Sequence, residues 1–446
     1  MDKRFEALYP EKSWEVEIGQ IISLAKSGDS TQIIGFPGVG RSNLLGLLSY
    51  NRAVRTHHLG EDQKKFHFVL MNFSEARSME FEEILKFFFV SIIDSLKERS
   101  LEKEYKNVES IFSDSLKTPD KQLLIHGLKK TIDYLCLEKE LSIVFLFDRF
   151  EEFSPIANAE FFATLRSLRN RAKYKFSAVF SFARPMEEIL DESVYKDFYE
   201  FLEGNQIFLP LKDQESLNFR TSYIENNKNK KVQKKSLDEI LGLTAGHGKL
   251  TRFCVEAYLA DNSQIHKLTI EEISEFLLSN SKVKGALLDM WKYLTPEEQK
   301  LVSIANSLQL TSNFLEKVGL VSDREITIPL FESFILRNKQ ELDKTFGGEI
   351  IYDNESGQIR KGQIVLSDTL TSSEFKLLKF LIANQGKLIT RDEIVNSVWE
   401  ELSSTAGVTE QALDQLIFRV RKKIEDNPNS PIHILTVKGR GFKFIP

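Results

Sequence analysis

Cysteine is nearly absent: Cys136 and Cys254 are the only two among 446 residues, and they lie far apart in the chain. Neither a disulfide framework nor a zinc ribbon is supported, and both thiols are expected as buried fillers. Proline (11) and glycine (22) are scarce, while 41% of residues are hydrophobic and 28% charged, which argues against a disordered chain. No apolar run approaches the length that spans a bilayer, and the opening MDKRFEALYPEKSW has no apolar core of a signal peptide. A cytoplasmic chain without a membrane partner is the expectation. Its length exceeds what one hydrophobic core usually serves, so about two to four domains are expected.

A strong excess of one charge is lacking too, since 60 Lys and Arg against 65 Asp and Glu leave a net charge of -5. Evenly spread, that would argue against nucleic acid. From Gln415 to the end, however, Arg419, Arg421, Lys422, Lys423, Lys438, Arg440 and Lys443 face only Glu425 and Asp426. A cationic patch at one end of an acidic chain is the pattern of an attached nucleic-acid-binding module.

Near the other end, TQIIGF (31–36) is strand-like and RSNLLGLLSY after it is helical, with GFPGVGRS (35–42) as the connecting loop. The loop follows the phosphate-binding pattern G-x-x-x-x-G-K-[ST], except that Arg41 replaces lysine. Gly35, Gly38 and Gly40 let backbone N–H groups turn around a phosphate, with Pro37, Val39, Arg41 and Asn43 completing the nucleotide-contacting stretch. Ser42 supplies the hydroxyl for Mg²⁺. The runs FHFVLMNF (66–73), LSIVFLFD (141–148) and FSAVFSFARP (176–185) read as buried strands of a parallel sheet. Asp148 then ends a central strand, where a carboxylate holds the metal. Ser181 and Arg184 fall at the ligand side of the same sheet, and Arg184 either touches the terminal phosphate or sits in an ion pair.

IVFLFDRFEEF resembles the Walker B region of the STAND class of signal-transducing NTPases, relatives of the AAA+ ATPases. LTAGHGKLTRF (243–253) is similar to the Gly-His-Pro stretch of the STAND lid, although Gly248 stands in the proline's place. The resemblance covers about residues 10–260. It implies an α/β P-loop NTPase core over 1–190, a helical lid over 191–262, ATP or ADP with Mg²⁺ as cofactor, and His247 as a nucleotide contact. In many ATPases of this group the carboxylate that polarises water directly follows the metal-binding acid, but Arg149 is there instead. Glu151 and Glu152 are substitutes, of which only one can face the phosphate, and Glu151 is preferred; otherwise both are solvated charges.

Residues 186–345 look mainly helical, with capping boxes at Thr269/Glu272 and Thr295/Glu298. The part from 263 to 345 is either winged-helix-like or a plain helical bundle, a packing or partner-binding domain of little positive charge. NNKNKKVQKKS (226–236) reads as a solvated loop, with a nucleic-acid contact as the alternative.

From 346 to 446, short strands precede two capped helices (Thr371/Glu374 and Thr390/Glu393) and the amphipathic VTEQALDQLIFRVRKKIE. Ala412, Leu413, Leu416, Ile417, Val420 and Ile424 line one face of the last, opposite Gln411, Gln415, Phe418 and Lys422, with Arg419 and Arg421 on the flanks. HILTVKGRGFKFI closes the chain as a hairpin with a Lys-Gly-Arg-Gly tip. LTSSEFKLL, RVRKKIE and TVKGRGFKF closely resemble the OmpR-type winged-helix DNA-binding domain of bacterial transcription regulators. The resemblance implies that the helix from about 409 to 425 enters the major groove of double-stranded DNA while Lys438 and Arg440 reach a neighbouring minor groove or its phosphates. Gln411 and Gln415 suit base edges; Arg419, Arg421 and Lys422 suit phosphates; an outward Phe418 suits a thymine methyl or a partner.

Together these parts imply a nucleotide-binding, sequence-specific transcription regulator in which nucleotide occupancy gates the winged helix or self-association, with slow or absent hydrolysis because of Arg41. The rivals are a DNA-anchored ATPase motor or loader and a STAND-type defence or stress sensor that uses the winged helix as effector.

Overall fold

The computed structural model describes residues 4–446 except 118–119, 155, 191, 203, 261–268, 304–312, 347–349, 355, 362–363, 368–369, 400–409, 426–427, 429 and 438; of 296, 300, 339–346, 364, 410 and 411 only the backbone is described. The chain divides into two units, Met1–Phe334 and Ile335–Pro446. No described helix is long and apolar enough to cross a membrane.

The first unit is built on five parallel strands, β1 (Thr31–Ile34), β2 (Phe66–Asn72), β3 (Ser142–Asp148), β4 (Phe176–Phe182) and β5 (Gln206–Phe208), in the order β2-β3-β4-β1-β5. Apolar runs without alternation suit strands covered on both faces, and every residue of β4 is buried. Because all five run the same way, the loop after β1, the acid ending β3 and Arg184 after β4 gather at one edge of the sheet. β4 lies between the other two, with Ile34 opposite Phe182 and Asn72 opposite Asp148.

One face of this sheet carries a phenylalanine core in which Phe73, Phe88, Phe147, Phe150, Phe161 and Phe180 interlock, with Phe147 and Phe180 centroids 4.9 Å apart at 67°. Phe150 is fully buried in it. That burial anchors the turn after β3, where Arg149 takes a left-handed conformation (φ 54°) and Phe150–Glu152 form a short 3-10 helix. The stretch expected as a lid holds helices Gln214–Lys228, Lys234–Thr244 and Gly248–Ala260. The run expected as a loop at 226–236 is therefore helical at both ends; Glu225 folds it back by accepting from Lys231 Nζ (2.8 Å) and the Val232 N–H (3.0 Å). Helices Ile270–Ser279, Ser281–Tyr293, Pro296–Ser303 and Asn313–Lys317 follow, then a two-stranded hairpin, β6 (Val321–Ser322) with β7 (Glu325–Ile326), and the helix Pro329–Phe346.

In the second unit an antiparallel sheet of β8 (Ile350–Asp353), β9 (Gln358–Lys361) and β10 (Ile364–Val365) precedes helices Ser372–Ala383, Arg391–Val398 and Glu410–Ile424. A second sheet joins β11 (Leu388–Ile389), β12 (Ile434–Val437) and β13 (Gly441–Phe444) in the order β11-β13-β12. Leu377, Leu381, Ile394, Leu413, Leu416, Val420 and Phe442 form its core. Both expected capping boxes are present. Gly441 (φ 134°) is obligatory, because a Cβ there would lie 2.0 Å from the Ile389 carbonyl oxygen across the sheet.

Candidate functional site

The loop after β1 is held from two sides. Gly38 and Gly40 have φ of 91° and 127°, open to glycine and strained for other residues. A Cβ on Gly40 would approach Trp14 Cζ2 to 3.3 Å, and one on Gly38 would approach His247 Cε1 to 2.8 Å. His247 Nδ1 accepts the Leu250 N–H (3.3 Å), so Nε2–H donates to the Pro37 carbonyl (2.9 Å), and the Lys249 N–H donates to the Gly38 carbonyl (2.9 Å). Two loop carbonyls are thus committed to the lid. Burial lowers the His247 pKa to about 4, opposed by its bond to Pro37, so the imidazole is neutral and grips the loop backbone. Gly248 also abuts the loop: a Cβ there would lie 3.0 Å from the Val39 oxygen. Asn43 Nδ2 donates to Tyr9 Oη (2.9 Å), tying the first turn of helix Arg41–Tyr50 to the N-terminal segment.

Ser42 and Asp148, 106 positions apart, meet: the Ser42 hydroxyl donates to Asp148 Oδ1 at 3.0 Å. Burial pushes the Asp148 carboxyl above the usual range, while Ser42, Arg41 and Arg149 pull it back. Among the described residues no group of three or more His, Cys, Asp or Glu side chains could hold a metal. A hydroxyl beside one carboxylate is instead the partial oxygen set that Mg²⁺ completes with phosphate and water, so these two residues fit that ion. Arg41 Nη2 donates to Glu151 Oε1 at 2.7 Å. Arg41 Nη1, Glu151 Oε2 and Ser181 Oγ are buried without a partner, and an anionic ligand fits the two donors among them. Glu152 turns away to Arg77 and to Arg149, the latter at 3.4 Å.

Arg184 is taken up by the helices beyond the lid. Its Nη1 donates to Glu188 Oε2 and Glu298 Oε1, both at 3.2 Å, and Nη2 to Glu298 Oε2, while the guanidinium lies 4.4 Å over the Phe314 ring and 5.0 Å over that of Tyr293. Glu298 closes the capping box on Thr295 with the same carboxylate. The Tyr293 hydroxyl donates to the Ala183 carbonyl and its ring meets Phe36 edge-on at 5.3 Å, so helices Ser281–Tyr293 and Pro296–Ser303 sit on the ends of β1 and β4. Tyr293 and Glu298 had no sequence signal for this role beyond the capping box.

On helix Glu410–Ile424, Leu413, Leu416, Ile417, Val420 and Ile424 are buried while Gln415, Arg419 and Lys422 are exposed. Phe418 is half-buried under the Lys422 ammonium, 4.8 Å from its ring centre. Arg419 Nε lies 3.5 Å from Glu374 Oε1 with its side chain 56% exposed. Arg421 turns inward to the hairpin, donating to the Ile434 carbonyl (2.6 Å from Nη2) and to Thr436 Oγ1 (2.8 Å). It joins helix to hairpin, where its flank position on the helix had assigned it to a phosphate, because the Ile434 carbonyl and the Thr436 hydroxyl take up its donors. Arg440 is exposed at the hairpin tip; Lys438 lies outside the described residues, and only the backbone of Gln411 is described. Arg391, paired with Asp414 at 2.8 Å, adds a cation beside this helix that was not singled out from sequence, where it is one basic residue in a capped helix start.

Residues 368–444 match the family "Transcriptional regulatory protein, C terminal". The sensory transduction protein RegX3 of Mycolicibacterium smegmatis is 40% identical over 75 residues, which are 17% of this chain and 32% of that protein. The chain thus spans about a third of the length of the curated relatives it matches. Among solved structures, the Klebsiella pneumoniae RstA DNA-binding domain in complex with RstA box is 27% identical over 22% of this chain and 91% of that one, with a TM-score of 0.19. The Walker-type ATPase paby2304 of Pyrococcus abyssi is 14% identical, covering 75% of this chain and 97% of its own, with a TM-score of 0.45. The C-terminal module is an OmpR-type winged helix, and the first unit is an α/β fold around a five-stranded parallel sheet.

Proposed function

We propose that this chain is a nucleotide-binding, sequence-specific DNA-binding transcription regulator in which ATP or ADP occupancy, with Mg²⁺, gates the winged helix or self-association. The observation that carries this reading is the meeting of Ser42 with Asp148 under a loop whose Pro37 and Gly38 carbonyls are held by the lid, in a chain that ends in an OmpR-type module. Bound nucleotide supplies phosphate charge for Arg41 and the loop N–H groups, and the metal that Ser42 and Asp148 hold. The lid and the helices around Tyr293 touch the same sheet edge, so a ligand that favours one of their arrangements shifts it; equal affinity for both would shift nothing. Gln415, Arg419, Lys422 and Arg440 are the DNA-facing residues. The helices and hairpin from 263 to 345 offer the surface for a protein partner or a second copy.

Turnover is slow because Arg41 replaces lysine and Arg149 replaces the acid that directly follows the metal carboxylate in related ATPases. Calorimetric titration of the full chain with ADP and ATP, in Mg²⁺ and in EDTA, tests this together with steady-state hydrolysis. Saturable Mg²⁺-dependent binding with hydrolysis that DNA does not accelerate supports the switch. Rapid DNA-stimulated hydrolysis overturns it in favour of a motor.

A further inference from the structure

The Arg41–Glu151 pair carries an inference that rests on the nucleotide reading above. Arg41 is the side-chain cation of the phosphate loop, yet its Nη2 is engaged by Glu151 Oε1 at 2.7 Å, with the two side chains only 14% and 23% exposed. The pair is joined along one edge: Arg41 Nη1 lacks an acceptor and Glu151 Oε2 lacks a donor, both buried. A buried ion pair repays its desolvation only when its remaining hydrogen-bonding atoms are met, so this one is incomplete.

Glu151 is also fixed in place. The turn that carries it begins at the left-handed Arg149, is nailed down by the fully buried Phe150, and is closed by Ser154 Oγ donating to the Glu151 carbonyl at 2.8 Å. A solvated surface acid needs none of this.

We infer that Glu151 is an internal stand-in for a nucleotide phosphate: it holds the Arg41 guanidinium in the absence of ligand and competes with the incoming phosphate for it. Carboxylate and phosphate present the same paired acceptors to arginine's planar fork. A lysine ammonium can turn its three donors to an acid and a phosphate at once, whereas the guanidinium's donors are fixed in one plane, so a phosphate can meet the open Nη1 but takes a two-bond grip on Nη1 and Nη2 only when Glu151 lets Nη2 go. Arginine in the loop and an acid three residues after Asp148 therefore form a matched pair. Glu151 acts through Arg41 as a positioning residue that sets how much phosphate charge a ligand needs to enter, which favours di- and triphosphates over monophosphates.

The test is a double-mutant cycle on the full chain, read as ADP·Mg²⁺ and ATP·Mg²⁺ dissociation constants by calorimetry, with AMP alongside. Glu151→Gln keeps the shape and removes the charge, and should tighten ADP and ATP binding about tenfold, the worth of one charge-assisted contact. AMP should gain most. In an Arg41→Lys background the same substitution should gain less than about threefold, since the ammonium can be shared. If Glu151→Gln lowers the thermal midpoint, Glu151→Asp, which keeps the charge but shortens the reach, should give a smaller gain in the same direction. Unchanged or weaker binding in both Glu151 variants, with normal wild-type binding, overturns the stand-in and leaves nucleotide binding intact. No binding of ADP or ATP to wild type or Arg41→Lys overturns the nucleotide reading itself.

Discussion

His247 and His67 are both fully buried, with pKa values held down to about 4 and about 3 by burial, so each is neutral in the folded chain. An unfolded histidine takes up a proton below about pH 6.5. As pH falls through that value the unfolded state binds protons that the folded state refuses, and stability drops with them. Unfolding free energies from urea titrations should therefore fall between pH 6.5 and 5, by on the order of 1–2 kcal/mol for His247 alone. His247→Gln should flatten that part of the profile relative to wild type; superimposable profiles would show that the imidazole is solvated in solution. At this scale the sequence was readable where chemistry is local. The loop pattern and an acid closing an apolar run were enough to pair Ser42 with Asp148. The partner of Arg184, Glu298, was not readable, because it comes from a helix 114 positions away and carries only a capping signature. Nor was the role of His247 on the loop backbone, since a histidine in a glycine turn looks the same whether it faces a ligand or a carbonyl.

Helices and strands followed their local rules wherever their patterns were long. The capping boxes at Thr269, Thr371 and Thr390 all close as their spacing demands, and the apolar stripe of Glu410–Ile424 is the buried one. β5 has three residues, too short for a period, and went unseen. The basic stretch 226–236 keeps a largely exposed loop over 229–233 between two helix ends, because lysines and asparagines suit either equally and Glu225 sets the break from inside the preceding helix. Helix Glu410–Ile424 divides its cations: Arg421 braces the hairpin, while Arg419 and Lys422, like Arg440 at the hairpin tip, remain outward. Gln415→Ala should relax discrimination at one base pair, costing about 1–3 kcal/mol against the preferred base, whereas Arg440→Ala should weaken all duplexes alike and lower the salt slope by about 1. Competition binding at several salt concentrations separates the two. Equal losses on every sequence for Gln415→Ala would remove it from base reading.

The whole chain joins an α/β unit, whose glycine-loop edge is overlaid by helices, to an OmpR-type winged helix. Its organisation was visible in the uneven spread of charge and in two sets of motifs at opposite ends. Two arginines at this edge, Arg41 and Arg184, are each held by a glutamate. If nucleotide occupancy gates the winged helix, nucleotide and DNA binding are linked through one free energy. The most direct test of that link is the affinity of the full chain for a duplex that the chain itself selects from a randomised pool, measured at one salt concentration without nucleotide, with ADP·Mg²⁺ and with ATP·Mg²⁺. At least one nucleotide should change the dissociation constant by about tenfold or more, close to 1.4 kcal/mol of coupling. Three coincident isotherms under saturating nucleotide would contradict it.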